Sequence, residues 1–366
     1  MKKLIAISVV FALLAMTAFA ETSVGGNLKL GVSLISGDDG GGDARSGKLT
    51  FWDSHANVNF SDGSAGGMLR VHAGGQGAGS GQIDWTPGIF TFGWWKPIDQ
   101  LRIQLGVNPD GDWGHAQISG WGFNGEAQGG TALDQHRGLG NGGNGDGDPV
   151  ANSSFQIVAR TTKGWYGGFS AVGAAISIYP VQGLTINWGI PFGSQGELGD
   201  TFGRSHFGVI YGIPDIGTVR VAAVLTNPDA SDLPVNFYGS FYLMAIDGLG
   251  VDIGVGYEGA SEVLGIGLGL RYTAGDFGIK LRFGVDLEDP DASLGVQILP
   301  SYNIGGTVIF LNAGVGMRGE DLSWYANPYV RVPMGGGMSF YGGFQLWDKG
   351  DEVVRWAVPI TYNFYF

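Results

Sequence analysis

Apolar and polar residues alternate along most of the chain, in segments of about ten residues separated by short clusters of turn residues. In one such segment, Leu101 and Ile103 alternate with Arg102 and Gln104. Successive side chains of a β-strand point to opposite faces, so the pattern gives each strand one apolar face and one polar face. Further segments of this kind span 218–226, 263–273 and 277–287.

The junctions between these segments are of two alternating kinds. Short turns rich in glycine, proline and aspartate occupy 214–217, 247–248, 274–276 and 334–337. Longer and more acidic junctions occupy 36–46, 191–205, 227–234 and 288–293. Short turns on one side and longer loops on the other are typical of a transmembrane antiparallel up-and-down β-barrel. We predict an all-β barrel of 16 to 18 strands, with 18 the best count, including strands at 296–303, 324–332 and 338–347.

Composition supports a membrane barrel over a soluble domain. Charged residues make up 14% of the chain, against about 25% in soluble domains, and glycine accounts for 69 of 366 residues. Past residue 20 no stretch approaches the ~20 apolar residues that a spanning helix needs. The chain has no cysteine, so neither disulfides nor thiolate metal sites are expected. The formal net charge of -13 makes nucleic acid an improbable partner.

The first 20 residues are expected to be a cleaved signal peptide. Two lysines precede an apolar stretch, and small residues follow at the predicted cleavage site, Ala18 and Ala20. We therefore expect residues 21–366 to form a single barrel that is exported and inserted into the bacterial outer membrane.

The chain ends with alternating apolar residues at Ile360, Tyr362 and Phe364 and a terminal Phe366. This segment resembles the last strand of bacterial outer-membrane proteins, which implies recognition by the barrel-assembly machinery. Over residues 21–366 the architecture resembles the porin superfamily, and the glycine-rich, acidic-loop style resembles spirochaete outer-membrane proteins. The resemblance implies outer-membrane lipid and small polar solutes as partners, and either a monomer or a trimer.

A long segment without a strand pattern, 108–154, is by our count the third outward loop. It resembles the third loop of general porins, which folds into the barrel and narrows it. Its acidic residues are Asp110, Asp112, Glu126, Asp134, Asp146 and Asp148. Alternation assigns a set of basic residues to the lumen: Arg70, Arg102, Arg220, Arg271, Lys280, Arg282, Arg331 and Arg355. An acidic loop opposite this wall would create a transverse field across the pore.

We therefore expect a channel for passive diffusion of small polar solutes and ions. The alternatives are an adhesin or structural barrel that binds external partners through acidic loops, and a transporter of hydrophobic substrates. No enzyme activity, cofactor or metal is expected. Residues 42–48 resemble a phosphate-binding loop, but Leu49 replaces the required serine or threonine, and the five histidines form no zinc motif.

Overall fold

The computed structural model describes residues 21–39, 48–75, 86–107, 172–192, 202–225, 235–259, 262–287, 292–348, 350 and 352–366. The expected signal peptide, residues 1–20, lies outside the described residues, and so do residues 108–154 with all six acidic residues assigned to the third loop. Among the described residues, no helix is long and apolar enough to cross a membrane.

The described residues form nineteen strands in one sheet. Their bounds are β1 Glu21–Asp38, β2 Lys48–Ser61, β3 Ala65–Gly75, β4 Thr86–Ile98, β5 Leu101–Val107, β6 Val172–Ile178, β7 Leu184–Pro191, β8 His206–Ile213, β9 Gly217–Leu225, β10 Val235–Ile246, β11 Leu249–Glu258, β12 Val263–Ala274, β13 Phe277–Leu287, β14 Ser293–Ile304, β15 Thr307–Arg318, β16 Asp321–Gly335, β17 Met338–Gly343, β18 Gln345–Asp348 and β19 Arg355–Tyr365.

The strands form a transmembrane antiparallel up-and-down barrel. Apart from β17 and β18, which do not pair with each other, each strand pairs with its neighbours in sequence, and β1 also pairs with β19. Strands β17 and β18 both pair with β16 and with β19, so together they occupy one place in the ring. Because two of the nineteen strands share one place, the ring has eighteen strand positions. Eighteen is also the best strand count predicted from the sequence.

The ring closes where the end of the chain meets β1. The Phe366 amide donates a hydrogen bond to the Gly26 carbonyl at 3.1 Å, and the Gly26 amide donates to the Phe366 carbonyl at 2.8 Å. Ladder pairs continue from Asn27 with Tyr365 to Asp38 with Arg355. Closure satisfies the backbone groups that an edge strand would leave unpaired in lipid.

Several strand bounds differ from the sequence prediction. β14 begins at Ser293 and β16 at Asp321, three residues earlier than predicted in each case. Within the extension of β16, Ser323 is buried and its hydroxyl donates to the Gly316 carbonyl at 3.3 Å. The acidic start of β16 resembled a loop in the sequence. Hydrogen bonds to β15 nevertheless make this segment part of the strand.

The segment predicted as one strand at 338–347 is divided at Phe344. The Phe344 amide donates to the Pro328 carbonyl at 2.9 Å across this break. A Cβ at Gly343 would stand 2.4 Å from that same carbonyl oxygen, so the close approach of β16 requires glycine there.

Side-chain caps order the short turns. In the turn between β2 and β3, the Asp62 carboxylate accepts hydrogen bonds from the Ala65 amide at 2.7 Å and from the Ser64 amide at 2.9 Å. These bonds, led by that of Ala65, lower the pKa of Asp62. Gly305 and Gly306, between β14 and β15, have φ of 58° and 93°, a left-handed pair that suits a two-residue hairpin turn.

Candidate functional site

Burial along the strands is the reverse of that in a soluble protein. Asp252 on β11 is fully buried, whereas the next residue, Ile253, is 51% exposed. The same inversion recurs around the ring, with these buried polar residues: Gln104, Ser177, Asn187, Ser240, Asp252, Gln297, Asn312, Ser323, Asn327, Gln345 and Asn363. Side chains on the concave face of a closed barrel converge and cover one another. This polar face is therefore the inner wall, and the exposed apolar face is the one presented to lipid.

Hydrogen bonds join polar side chains of adjacent strands along the inner wall. Ser177 on β6 donates to the Oδ1 of Asn187 on β7 at 2.7 Å. Gln297 on β14 and Tyr325 on β16 both donate to the Oδ1 of Asn312 on β15, at 2.8 Å and 3.0 Å. These links restrict the rotamers of the polar side chains along the wall.

Inner-wall tyrosines lie against glycines of the neighbouring strand. A Cβ at Gly314 would stand 2.5 Å from Cε1 of Tyr325, its direct partner in the β15–β16 ladder. A Cβ at Gly256 would stand 3.0 Å from Cδ1 of Tyr238. Glycine on the inner face thus leaves room for the tyrosine ring of the neighbouring strand.

The basic residues assigned to the lumen by sequence lie on the inner face wherever their side chains are described. Five of them occur within the five residues nearest the short-turn end of their strands: Arg102, Arg220, Arg271, Lys280 and Arg331. Arg70 lies further up β3, and Arg355 begins β19 at the opposite end. Register places Arg282 opposite Gly269 and Gln297.

Four of these basic side chains have a specific neighbour on the wall. The Arg70 Nε donates to the Asn57 Oδ1 at 2.8 Å, and the Arg271 Nη2 donates to the Tyr242 hydroxyl at 3.3 Å. The guanidinium groups of two other basic residues lie against aromatic rings.

The Arg102 guanidinium lies 4.9 Å from the centre of the Trp94 ring, and that of Arg331 lies 6.0 Å from the centre of the Phe310 ring. Cation–π contacts of this kind hold a guanidinium in place without neutralising its charge.

Three of the basic residues line one cavity near the short-turn end. Its volume is about 630 Å³. The lining side chains from β10 to β16 include Arg271, Lys280, Arg331, Tyr242, Phe310 and Tyr329. Direct cross-strand pairing of Arg271 with Lys280 puts two of the cations side by side. The rings of Phe310 and Tyr329 stack at a centroid separation of 4.7 Å and form the far wall.

Sequence reasoning missed the aromatic residues of this cavity. Phe310 is flanked by apolar residues on both faces of β15, so alternation alone gives its side chain no direction. Pairing with β16 does give the side chain a direction, because Phe310 is directly opposite Tyr329 in the ladder. The signal lies in the register between strands, not within one strand.

Of the four residues predicted to form the assembly signal, Ile360, Tyr362 and Phe364 are on β19, and Phe366 follows its last residue. Ile360, Tyr362 and Phe364 share the face opposite the buried Asn363. The rings of Phe364 and Phe366 stack at 5.7 Å.

No sequence-family model matches the chain, and no curated protein matches it. Solved structures do match over nearly its whole length. The chain has the fold of an outer-membrane porin. A BenF-like porin from Pseudomonas fluorescens Pf-5 superposes with a TM-score of 0.54 at 9% identity, covering 94% of this chain and 99% of that one. The outer-membrane protein OpdK from Pseudomonas aeruginosa gives 0.56 at 9% identity, with coverages of 94% and 99%.

OpdL from the same organism gives a TM-score of 0.58 at 11% identity, with coverages of 94% and 99%. The porin fold thus extends over the barrel despite the low identity.

Proposed function

We propose that this barrel is an outer-membrane channel for the passive diffusion of small polar solutes and ions. The observation that carries the proposal is the inner wall, where ordered polar and basic side chains line a ring of eighteen strand positions inside an apolar exterior. Barrels with 16 to 18 strands leave an aqueous passage, whereas eight-stranded barrels are filled by side chains. The porin fold supports the same function.

The test is electrical. Refolded protein added to a planar lipid bilayer should give stepwise, ohmic increases in conductance. Folding is checked independently by heat-modifiable migration in gels. A folded, heat-modifiable preparation that gives no conductance would contradict the channel and favour the adhesin or structural barrel.

We also propose that the loop segment 108–154 narrows the passage, with Asp110, Asp112, Glu126, Asp134, Asp146 and Asp148 facing water inside it. Replacing 108–154 by a short glycine-serine linker should raise the single-channel conductance and the solute-size cutoff. Equal values for both proteins would place the segment outside the lumen. The ladder between β5 and β6 pairs all the way from Leu101 with Ile178 to Val107 with Val172, so shortening the loop leaves the ring intact.

Export by a signal peptide cleaved after residue 20 belongs to the same proposal. N-terminal sequencing of the protein recovered from outer membranes should begin at Glu21. A protein retaining residues 1–20 in that fraction would refute cleavage.

A further inference from the structure

Three prolines remove hydrogen-bond donors from the barrel wall at one level. Pro300 on β14, Pro328 on β16 and Pro359 on β19 lie within their strands, and proline has no backbone N–H. Pro328 is directly opposite Leu311 on β15. The constant register of the β14–β15 ladder puts Pro300 on the other side of Leu311. Pro300 and Pro328 therefore belong to one row of residues across β14, β15 and β16.

The backbone of Pro300 points toward β15. The Asn303 amide donates to the Asp276 carbonyl on the side of β13, and successive residues of a strand direct their backbone groups to opposite neighbours. Position 300 therefore pairs with β15, where a backbone N–H would donate to the Leu311 carbonyl. Because position 300 is proline, the ladder between β14 and β15 lacks this bond.

The same row continues to the division between β17 and β18. The Phe344 amide donates to the Pro328 carbonyl at 2.9 Å. Two residues paired in this way in an antiparallel ladder normally exchange two bonds. The return bond, to the Phe344 carbonyl, needs the N–H that Pro328 lacks.

Pro359 removes a bond from the other side of the same strand. The Tyr365 amide donates to the Gly337 carbonyl at 3.0 Å, and such bonds recur at every second residue. The register between β17 and β19 is constant, so the donor for the Gly343 carbonyl is position 359. β1 also shifts register at this level, next to Pro359. The wall thus lacks three ladder bonds at one level, which we call the proline row: Pro300, Leu311, Pro328, Phe344 and Pro359.

Apolar side chains flank the proline row on both faces of the wall. On the lipid side, the rings of Phe344 and Trp356 stack at 6.3 Å. On the inner face of β11 and β12, glycine and charged residues such as Asp252 and Arg271 predominate. Beside the proline row the inner face instead has two buried apolar clusters, with Leu299, Tyr329, Tyr341 and Phe310 toward the short turns and Tyr325, Trp347 and Ala357 toward the loops.

Hydrogen bonds between strands keep the wall of a membrane barrel closed, and each backbone group left unpaired in hydrocarbon is costly. The three prolines concentrate this loss at one level. Strands separate most easily where they share the fewest bonds, so local opening is favoured along the proline row. An opening there would join the inner apolar clusters to the surrounding lipid. It would also expose the carbonyls of Gly343 and Phe344 to a hydrogen-bond donor.

We propose that the wall opens along the proline row as a lateral portal, through which amphipathic molecules with an alkyl chain exchange between the lumen and the membrane. The alkyl chain passes between the inner aromatic clusters and the lipid. A hydroxyl or amide head group donates to the carbonyls of Gly343 and Phe344. This lateral route adds to the axial diffusion of polar solutes proposed above and does not depend on it.

The first test restores one missing donor. Pro328→Ala supplies an N–H that can donate to the Phe344 carbonyl. Amide hydrogen exchange of peptides covering 340–348, measured in lipid vesicles, should slow about fivefold, the effect of one net hydrogen bond of ~1 kcal/mol. Val330→Ala is the matched control, because it lies on the same strand and face and leaves the backbone donors unchanged. Equal exchange rates in Pro328→Ala and the wild type would refute the weakened ladder.

The second test locks the wall. The chain has no cysteine, so Ala326→Cys with Leu346→Cys introduces a single disulfide between direct partners of β16 and β18 beside the proline row. Vesicles containing the barrel receive dodecanol with a diazirine at the end of its chain, and adducts are mapped after irradiation. The reduced protein should have adducts on the inner residues Tyr329 and Tyr341. Oxidation should lower these inner adducts about fivefold or more, and reduction should restore them.

Ile266→Cys with Val285→Cys is the matched control for the lock, because these residues are direct partners on β12 and β13, away from the proline row. Its oxidation should leave the inner adducts unchanged. Wild-type protein without inner adducts would overturn the portal. Equal inner adducts before and after oxidation of the Ala326 and Leu346 variant would also overturn it, because the probe would then enter through the ends of the barrel. A barrel with lock-sensitive adducts and no conductance would refute the channel and leave the portal standing.

Discussion

Leu281 and Lys280 are consecutive residues of β13 that face different surroundings. Lys280 is opposite Arg271 and lines the basic cavity, whereas Leu281 is opposite Leu270 and Ile298 on the lipid-facing side. Leu281→Arg should lower the free energy of unfolding in lipid vesicles by ~2 to 4 kcal/mol, the usual cost of arginine near the bilayer centre. Lys280→Gln should change it much less. Urea titrations of both variants check this, and the opposite order would mean that the strand register is reversed.

The clearest case of an inner-wall ring that needs a glycine beside it is the Tyr325 ring, which lies against Gly314. A Cβ added at Gly314 would meet the ring at 2.5 Å, so Gly314→Ala should destabilise the barrel by about 1 to 3 kcal/mol through overpacking. In the Tyr325→Ala background the same change should cost much less. A double-mutant cycle of unfolding free energies measures this coupling. Additive effects would show that the ring does not determine the need for glycine.

At the scale of the element, the turn capped by Asp62 has a defined pH dependence. The pKa of Asp62 is lowered in the folded protein, so its contribution to stability is complete above the ordinary carboxyl pKa. That contribution is lost as the pH falls through the lowered value. The stability difference between the wild type and Asp62→Ala should therefore shrink as urea titrations are moved to acidic pH.

Ser61→Ala is the matched control for this turn. It removes the hydroxyl oxygen that accepts the Gly63 amide at 3.1 Å, and no ionisable group is changed. Its effect on unfolding should be the same at each pH. A pH-independent difference for Asp62→Ala would show that the carboxylate charge is unimportant in the turn.

The terminal strand both closes the ring and is expected to be recognised during assembly. Deleting Phe366 removes both backbone bonds to Gly26 and leaves Gly26 without its partner across the closure. Replacing Phe364 and Phe366 by serine keeps the backbone and removes the aromatic pair. Both variants should reduce the heat-modifiable barrel in outer membranes. If only the deletion has an effect, closure matters and the aromatic signal does not.

Strand positions were largely predictable because lipid outside and polar contacts inside impose strict alternation. β13 at Phe277–Leu287 has the predicted bounds, and β12 at Val263–Ala274 extends one residue past its predicted end. The break at Phe344 was not predictable, since it depends on the carbonyl of Pro328 in the neighbouring strand. The cavity was not predicted, for the same reason. Residues far apart in sequence line it together only because of the register between strands, which alternation within one strand does not specify.

At the scale of the whole molecule, basic residues of the inner wall lie mostly toward the short-turn end. The sequence predicts an electric field across the pore. The position of these basic residues adds a component of the field along the pore axis. Changing Arg102, Arg220, Arg271, Lys280 and Arg331 together to glutamine should shift ion selectivity toward cations. Reversal potentials in a salt gradient measure the shift, which should shrink as salt screens the charges over ~10 Å at ~0.1 M. Unchanged reversal potentials would show that these side chains do not face the ion path.

The contact between Phe366 and Gly26 also means that the position of the chain ends is arbitrary within the ring. β1 and β19 are neighbours like any other pair, and Glu21 begins on the same side of the barrel as Phe366 ends. A circular permutant of residues 21–366 that joins Glu21 to Phe366 with a short linker, and opens the chain within the predicted outward loop 227–234, would contain every strand pair of the original. Refolded into lipid vesicles, such a chain should form the same barrel, because hydrogen bonds between strands depend on adjacency and not on the order of synthesis.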